Sequence, residues 1–80
     1  MPSVLRFDGL RVVVYPNDHL PAHVHVMGRG CEAIFNLNCP RGPVDVRENY
    51  SFSLRELGRI EKELGVHVSM LRKTWERIHG

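Results

Sequence analysis

Three of the five histidines in this 80-residue chain fall within one run, Asp18-His19-x-x-x-His23-x-His25. Imidazole titrates near neutrality and is a strong ligand for zinc, copper, iron and nickel, so a cluster of this type points to two chemistries. In the first, two imidazoles act as general base and general acid while the Asp18 carboxylate fixes a tautomer or supports an imidazolium. Cleavage of RNA at the 2′-hydroxyl needs no metal when two such groups flank the scissile phosphate. Arg6, Arg11 or Arg29 would then offset charge on that phosphate. In the second, His19, His23 and His25 hold zinc or another transition metal, because three histidines with one open position make a catalytic zinc site. A purely structural role is the alternative to both: the rings hydrogen-bond backbone and carboxylate groups at a sheet edge and hold the loop from Pro16 to Pro21.

Either chemistry requires the rings to converge, which depends on the elements that carry them. The segment Ala22 to Met27 alternates strictly, so Val24 and Val26 share one face of a strand and His23 and His25 the other, roughly 6–7 Å apart at the backbone. His19, on the preceding loop, is expected to fold over them. Upstream, Val4 to Phe7 reads as a strand, Asp8-Gly9 as a tight turn, and Leu10 to Tyr15 as a second, β-branched strand ended by Pro16-Asn17. Downstream, Gly28-Arg29-Gly30 makes a three-residue link into Cys31 to Asn38, where Cys31, Ala33, Phe35 and Leu37 share a face. Pro40, Gly42 and Pro43 mark a loop before a short strand, Val44 to Val46, and Arg47 to Tyr50 lead into the helices.

Ser53 and Glu56 have capping-box spacing and start a helix whose apolar stripe is Leu54, Leu57, Ile60 and Leu64, with Gly65 placed to end it in a left-handed cap. Val68, Leu71, Trp75 and Ile78 repeat the stripe in a second helix, with Trp75 as a core anchor. His67 and His79 fall at helix ends and carry no expected role. The predicted fold is α+β: a single domain, 1–80, with a β-rich part to residue 46 and a two-helix part over 52–79. Two successive hairpins build a small antiparallel sheet of about four to five strands, and two C-terminal helices pack on one face of it.

Composition narrows the function classes. With 42% hydrophobic and 25% charged residues the chain is an ordinary globular domain, and its net charge of +2 is too mild for a nucleic-acid footprint. Cys31 and Cys39 lack any Cys-x-x-Cys spacing and are expected to be free thiols, and the apolar run from Met1 to Tyr15 is broken by Arg6, Asp8 and Arg11. A cytoplasmic location with no membrane association follows as an expectation. So does self-association, since a chain this small buries a thin core.

The stretch Ile60 to Thr74 partly resembles a helix-turn-helix, with Leu64-Gly65-Val66 as the turn. Glu61 stands where a small residue normally lets the two helices approach, which makes DNA the less favoured nucleic acid.

Pro2, Arg6-Phe7-x-Gly9, Tyr15, Asp18-His19-x-Pro21-x-His23-x-His25-Val26, Glu32-Ala33, Arg47-Glu48-Asn49 and Leu71-x-x-x-Trp75-Glu76-Arg77 together resemble the prokaryotic family called domain of unknown function 4160. The resemblance spans essentially the whole chain, and the Asp-His-x-Pro-x-His-x-His run is its most specific part. It implies a small stand-alone protein, often encoded beside a member of the domain of unknown function 2442 family in a toxin–antitoxin-like two-gene module, and hence a small protein partner. It places functional weight on Asp18, His19, His23 and His25, with Arg6, Arg47 and Asn49 as binding candidates. It implies no established reaction, cofactor or substrate, and leaves open whether the chain is an enzyme.

Overall fold

The computed structural model describes residues 3–38 and 43–79, so the expectations for Pro2, Cys39, Pro40 and Gly42 lie outside the described residues. Five strands, β1 (Ser3–Phe7), β2 (Leu10–Val13), β3 (His23–Gly28), β4 (Cys31–Asn36) and β5 (Asp45–Tyr50), precede two helices, α1 (Leu54–Val66) and α2 (Val68–His79). The strands form one antiparallel sheet in chain order, β1-β2-β3-β4-β5, which places the histidine strand at its centre.

Two tight turns set the register. Asp8 and Gly9 have φ of 51° and 75°, and Arg29 and Gly30 have 52° and 76°, so both hairpins use a two-residue loop whose twist matches that of the strands. Gly28 therefore belongs to β3 and pairs with Cys31, where a three-residue link had been expected. A Cβ at Gly28 would lie 2.7 Å from the Gly9 carbonyl oxygen, so the two hairpin ends can approach this closely only at a glycine.

The pairing sorts the sheet into two faces. Val12, Val24, Val26, Ala33 and Phe35 oppose one another on the first and are buried with Leu57, Ile60, Leu64, Leu71 and Trp75 of the helices in one apolar core. Arg11, Val13, His23, His25, Met27 and Ile34 alternate onto the second.

β5 is longer than expected, and Arg47 to Tyr50 extend the sheet instead of leading into the helices, so the β-rich part runs to residue 50. Their polar character disguised a strand that is exposed along most of its length and needs no apolar partner to pair with β4. β2, by contrast, ends at Val13, two residues short of Tyr15.

α1 starts as its capping box requires: the Glu56 N–H donates to Ser53 Oγ at 3.1 Å, and the Ser53 N–H donates to Glu56 Oε1 at 3.1 Å. Leu54 is 87% exposed and stands off the core stripe, because it is the first helical residue and precedes the turn that faces the sheet. Gly65 does not end the helix. α1 continues to Val66, and His67 caps it with φ −110°, outside the left-handed region, while donating its N–H to the Leu64 carbonyl at 3.0 Å. His67 alone separates the helices, where a helix-turn-helix needs a turn of three to four residues.

Two predictions follow from the helices. Because Gly65 is helical and a Cβ there meets nothing within 4 Å, Gly65→Ala should stabilise the protein by about 0.5–1 kcal/mol in urea denaturation; destabilisation would restore the left-handed cap. The Ser53 N–H, ahead of the Arg29 and Arg59 charges, holds the Glu56 carboxyl below its ordinary range. A carboxyl lowered on folding stabilises above its unfolded value, and that gain is lost as pH falls through the lowered one. Glu56→Gln should therefore flatten part of the acid limb of the stability–pH curve.

Candidate metal centre

Tyr15-Pro16-Asn17-Asp18 is a β-turn with proline at its second position, closed by the Asp18 N–H donating to the Tyr15 carbonyl at 3.0 Å. The Tyr15 N–H donates in return to Asp18 Oδ2 at 3.2 Å, so this four-residue turn pins the carboxylate from both ends. Asp18 is thereby aimed at β3, where its Oδ2 lies 3.2 Å from His25 Nε2 and 3.4 Å from His23 Nε2. The three side chains are between 7% and 15% exposed.

The far side of each ring is as informative. His23 Nδ1 is 2.8 Å from the Pro21 carbonyl, which can only accept, so Nδ1 carries a proton, and in the neutral ring Nε2 presents a lone pair to Asp18. His25 Nδ1 is 3.5 Å from Glu32 Oε2, too long to satisfy it, and is buried without a hydrogen bond. A neutral His25 has one proton for two carboxylates.

With both rings neutral, acceptors outnumber protons at the point where Asp18, His23 and His25 meet, and one ligand atom from each lies within 4.8 Å of the other two. For ligand bonds near 2.1 Å a tetrahedral edge is about 3.4 Å, which the two Asp18 separations match. The Pro21 carbonyl on His23 Nδ1 and the Tyr15 N–H on the carboxylate are the kind of supporting shell that metal-binding histidines and carboxylates use.

Aromatic rings hold the cluster. Tyr15 packs edge-on to His25 with centroids 4.6 Å apart, and Trp75 lies 5.3 Å from His23 and stacks on His79 at 3.8 Å. Trp75 is the core anchor expected of it, at 4% exposure, and also backs the site.

The remaining candidates separate. His19 is exposed and does not join the convergent set; Asp18 takes the place expected of it, because the turn rotates one neighbour inward and the next outward. His19 instead lines a cleft of about 260 Å³ with Asp18, His23, Arg47 and Glu48. Arg6 and Arg11 line a different depression, with Gly9, Met27 and Gly28. Arg29 pairs with Glu56 at 3.2 Å and ties the β3–β4 turn to α1. Asn49 has a structural role: its Nδ2 donates to the Phe52 carbonyl at 3.0 Å while the Phe52 N–H donates to its Oδ1 at 3.1 Å. Glu32 was missed as a functional residue, though its diagonal position across β4 from His25 follows once the hairpin register is known.

Removing the carboxylate strands the Tyr15 N–H and takes away the hydrogen-bond partner of His25 Nε2. Asp18→Ala, measured in the presence of chelator, should cost about 1–3 kcal/mol of stability; an unchanged denaturation midpoint would mean that the contacts contribute nothing to the fold.

Among the described residues no helix is long and apolar enough to cross a membrane. A comparison with curated proteins and with solved structures found no match. One family model matches residues 9–76, from the first hairpin turn to the last helix, and includes every residue of the cluster. The chain belongs to the family described as domain of unknown function DUF4160.

Proposed function

We propose that this domain binds a divalent transition-metal ion, with zinc the best fit, through His23 Nε2, His25 Nε2 and Asp18. One observation carries the reading: the Nε2 atoms of His23 and His25 converge on the Asp18 carboxylate, with one ligand atom from each residue within 4.8 Å of the other two, while His23 Nδ1 is turned away to the Pro21 carbonyl. Two histidines and one carboxylate leave positions open for water or substrate, and Asp18 and His23 also line the cleft. The donor set suits zinc or iron(II). This is the pattern of a reactive or sensing centre, whereas a closed structural site fills every position with protein.

Protein purified without a His tag should take up one equivalent of zinc, measured by metal analysis after dialysis. Binding should weaken on acidification, because each imidazole must shed a proton to ligate. The near-isosteric Asp18→Asn and the His25→Ala variants should lose at least about tenfold in affinity, while His19→Ala should retain it. Loss of binding in His19→Ala would assign the ligands to the three histidines; no binding by the wild type would overturn the reading.

A second reading draws on the cleft. Exposed His19 and the Asp18-paired histidines beside Arg47 are the groups that metal-free cleavage of RNA would use, and the family resemblance adds a protein partner encoded by a neighbouring gene. Degradation of total RNA that persists in chelator and disappears in His23→Ala/His25→Ala would favour it over the metal. Co-purification with the neighbouring gene's product tests the partner.

A further inference from the structure

β5 carries an irregularity where it passes the site. Phe35 pairs with Val46 and the adjacent Ile34 pairs with Glu48, so Arg47 is an extra residue with no partner on β4. Such a bulge breaks the alternation of a strand and re-aims a side chain, and bulges concentrate beside functional sites. In a regular strand Arg47 and Glu48 would point to opposite faces of the sheet. Here both line the cleft that also contains Asp18, His19, His23 and Ile34.

The two charges brought in by the bulge are not equivalent. Glu48 Oε1 accepts a hydrogen bond from the Tyr50 hydroxyl. Arg47 is exposed and forms no ion pair among the described residues. Its guanidinium is therefore a free, planar, five-donor fork, the group best shaped to take two oxygens of a phosphate or carboxylate. The cleft, at about 260 Å³, is far larger than the roughly 30 Å³ that one water occupies in the liquid.

We propose that this cleft binds an oxyanion, phosphate or carboxylate, with one oxygen at the open position of the metal and the others on the Arg47 guanidinium. The inference rests on the metal reading above and names the ligand class of that centre. A metal held by two neutral imidazoles and one carboxylate keeps a net positive charge, and Arg47 adds a second. An anion between them is attracted from both sides, whereas a neutral ligand gains little from the guanidinium.

The test uses the whole chain loaded with cobalt(II), whose visible absorption reports on its ligands. Inorganic phosphate and acetate are titrated in separate arms, and the tighter of the two identifies the oxyanion. The wild type should show a saturable spectral change. Arg47→Ala should load cobalt equally but bind the anion about tenfold or more weakly, with Arg47→Lys between them because lysine keeps the charge and loses the fork. Normal loading with no anion response, or with equal affinity in Arg47→Ala, overturns this inference and leaves the centre intact. Failure of the wild type to load cobalt overturns both.

Discussion

A carboxylate taken largely out of water needs donors or cations around it, and Asp18, at 15% side-chain exposure, sets that requirement for the whole molecule. Its own turn supplies one N–H, from Tyr15. The rest must come from β3, where His25 Nε2 lies within hydrogen-bond reach, or from a cation held between the carboxylate and the rings, and the loop between β2 and β3 closes over the two histidines. The Pro21 carbonyl behind His23 then fixes a proton on that ring's Nδ1. Local turn chemistry, strand alternation and side-chain charge all bear on the same few ångströms.

The two faces of the sheet divide the work. Valines, Ala33 and Phe35 on one face pack against both helices and supply the hydrophobic stabilisation of a small domain. The other face carries the imidazoles, on a central strand paired along both edges, which holds them more rigidly than a loop would. α2 links the two layers. Trp75 is buried in the core while its ring reaches His23, so a change in helix packing would be felt directly at the cluster.

Rigidity and openness are also distributed along the chain. The capping box at Ser53 and the Arg29–Glu56 pair fasten α1 to the β3–β4 turn on one side of the sheet. The Asn49–Phe52 staple fixes the exit from β5. Between them β5 remains mostly exposed, and His19 and Arg47 face solvent from a cleft whose inner wall includes Asp18 and His23. A reacting group needs this combination of a fixed inner shell and an accessible rim.

The sequence by itself determined most of the elements and the pairing of His23 with His25, though not the reach of β5 through Arg47 to Tyr50. Strict alternation over Ala22 to Met27 admits only one side for both rings, Asp8-Gly9 signals one hairpin turn, Gly28 and Gly30 signal a second whose length they leave open, and the Ser53–Glu56 spacing starts a helix. These are local rules of backbone sterics and hydrogen bonding, readable over a few residues. Tertiary structure alone decided the rest. That Asp18 and not His19 joins the rings depends on how one turn is oriented against a distant strand. That Glu32 backs His25 depends on register, and that Arg47 shares the cleft depends on one extra residue in a pairing between β4 and β5. Gly65 stays helical, against its local signal, because the packed stripe of Leu57, Ile60 and Leu64 carries α1 past it. Convergence is a property of distances between segments, and composition and spacing along the chain do not encode those distances.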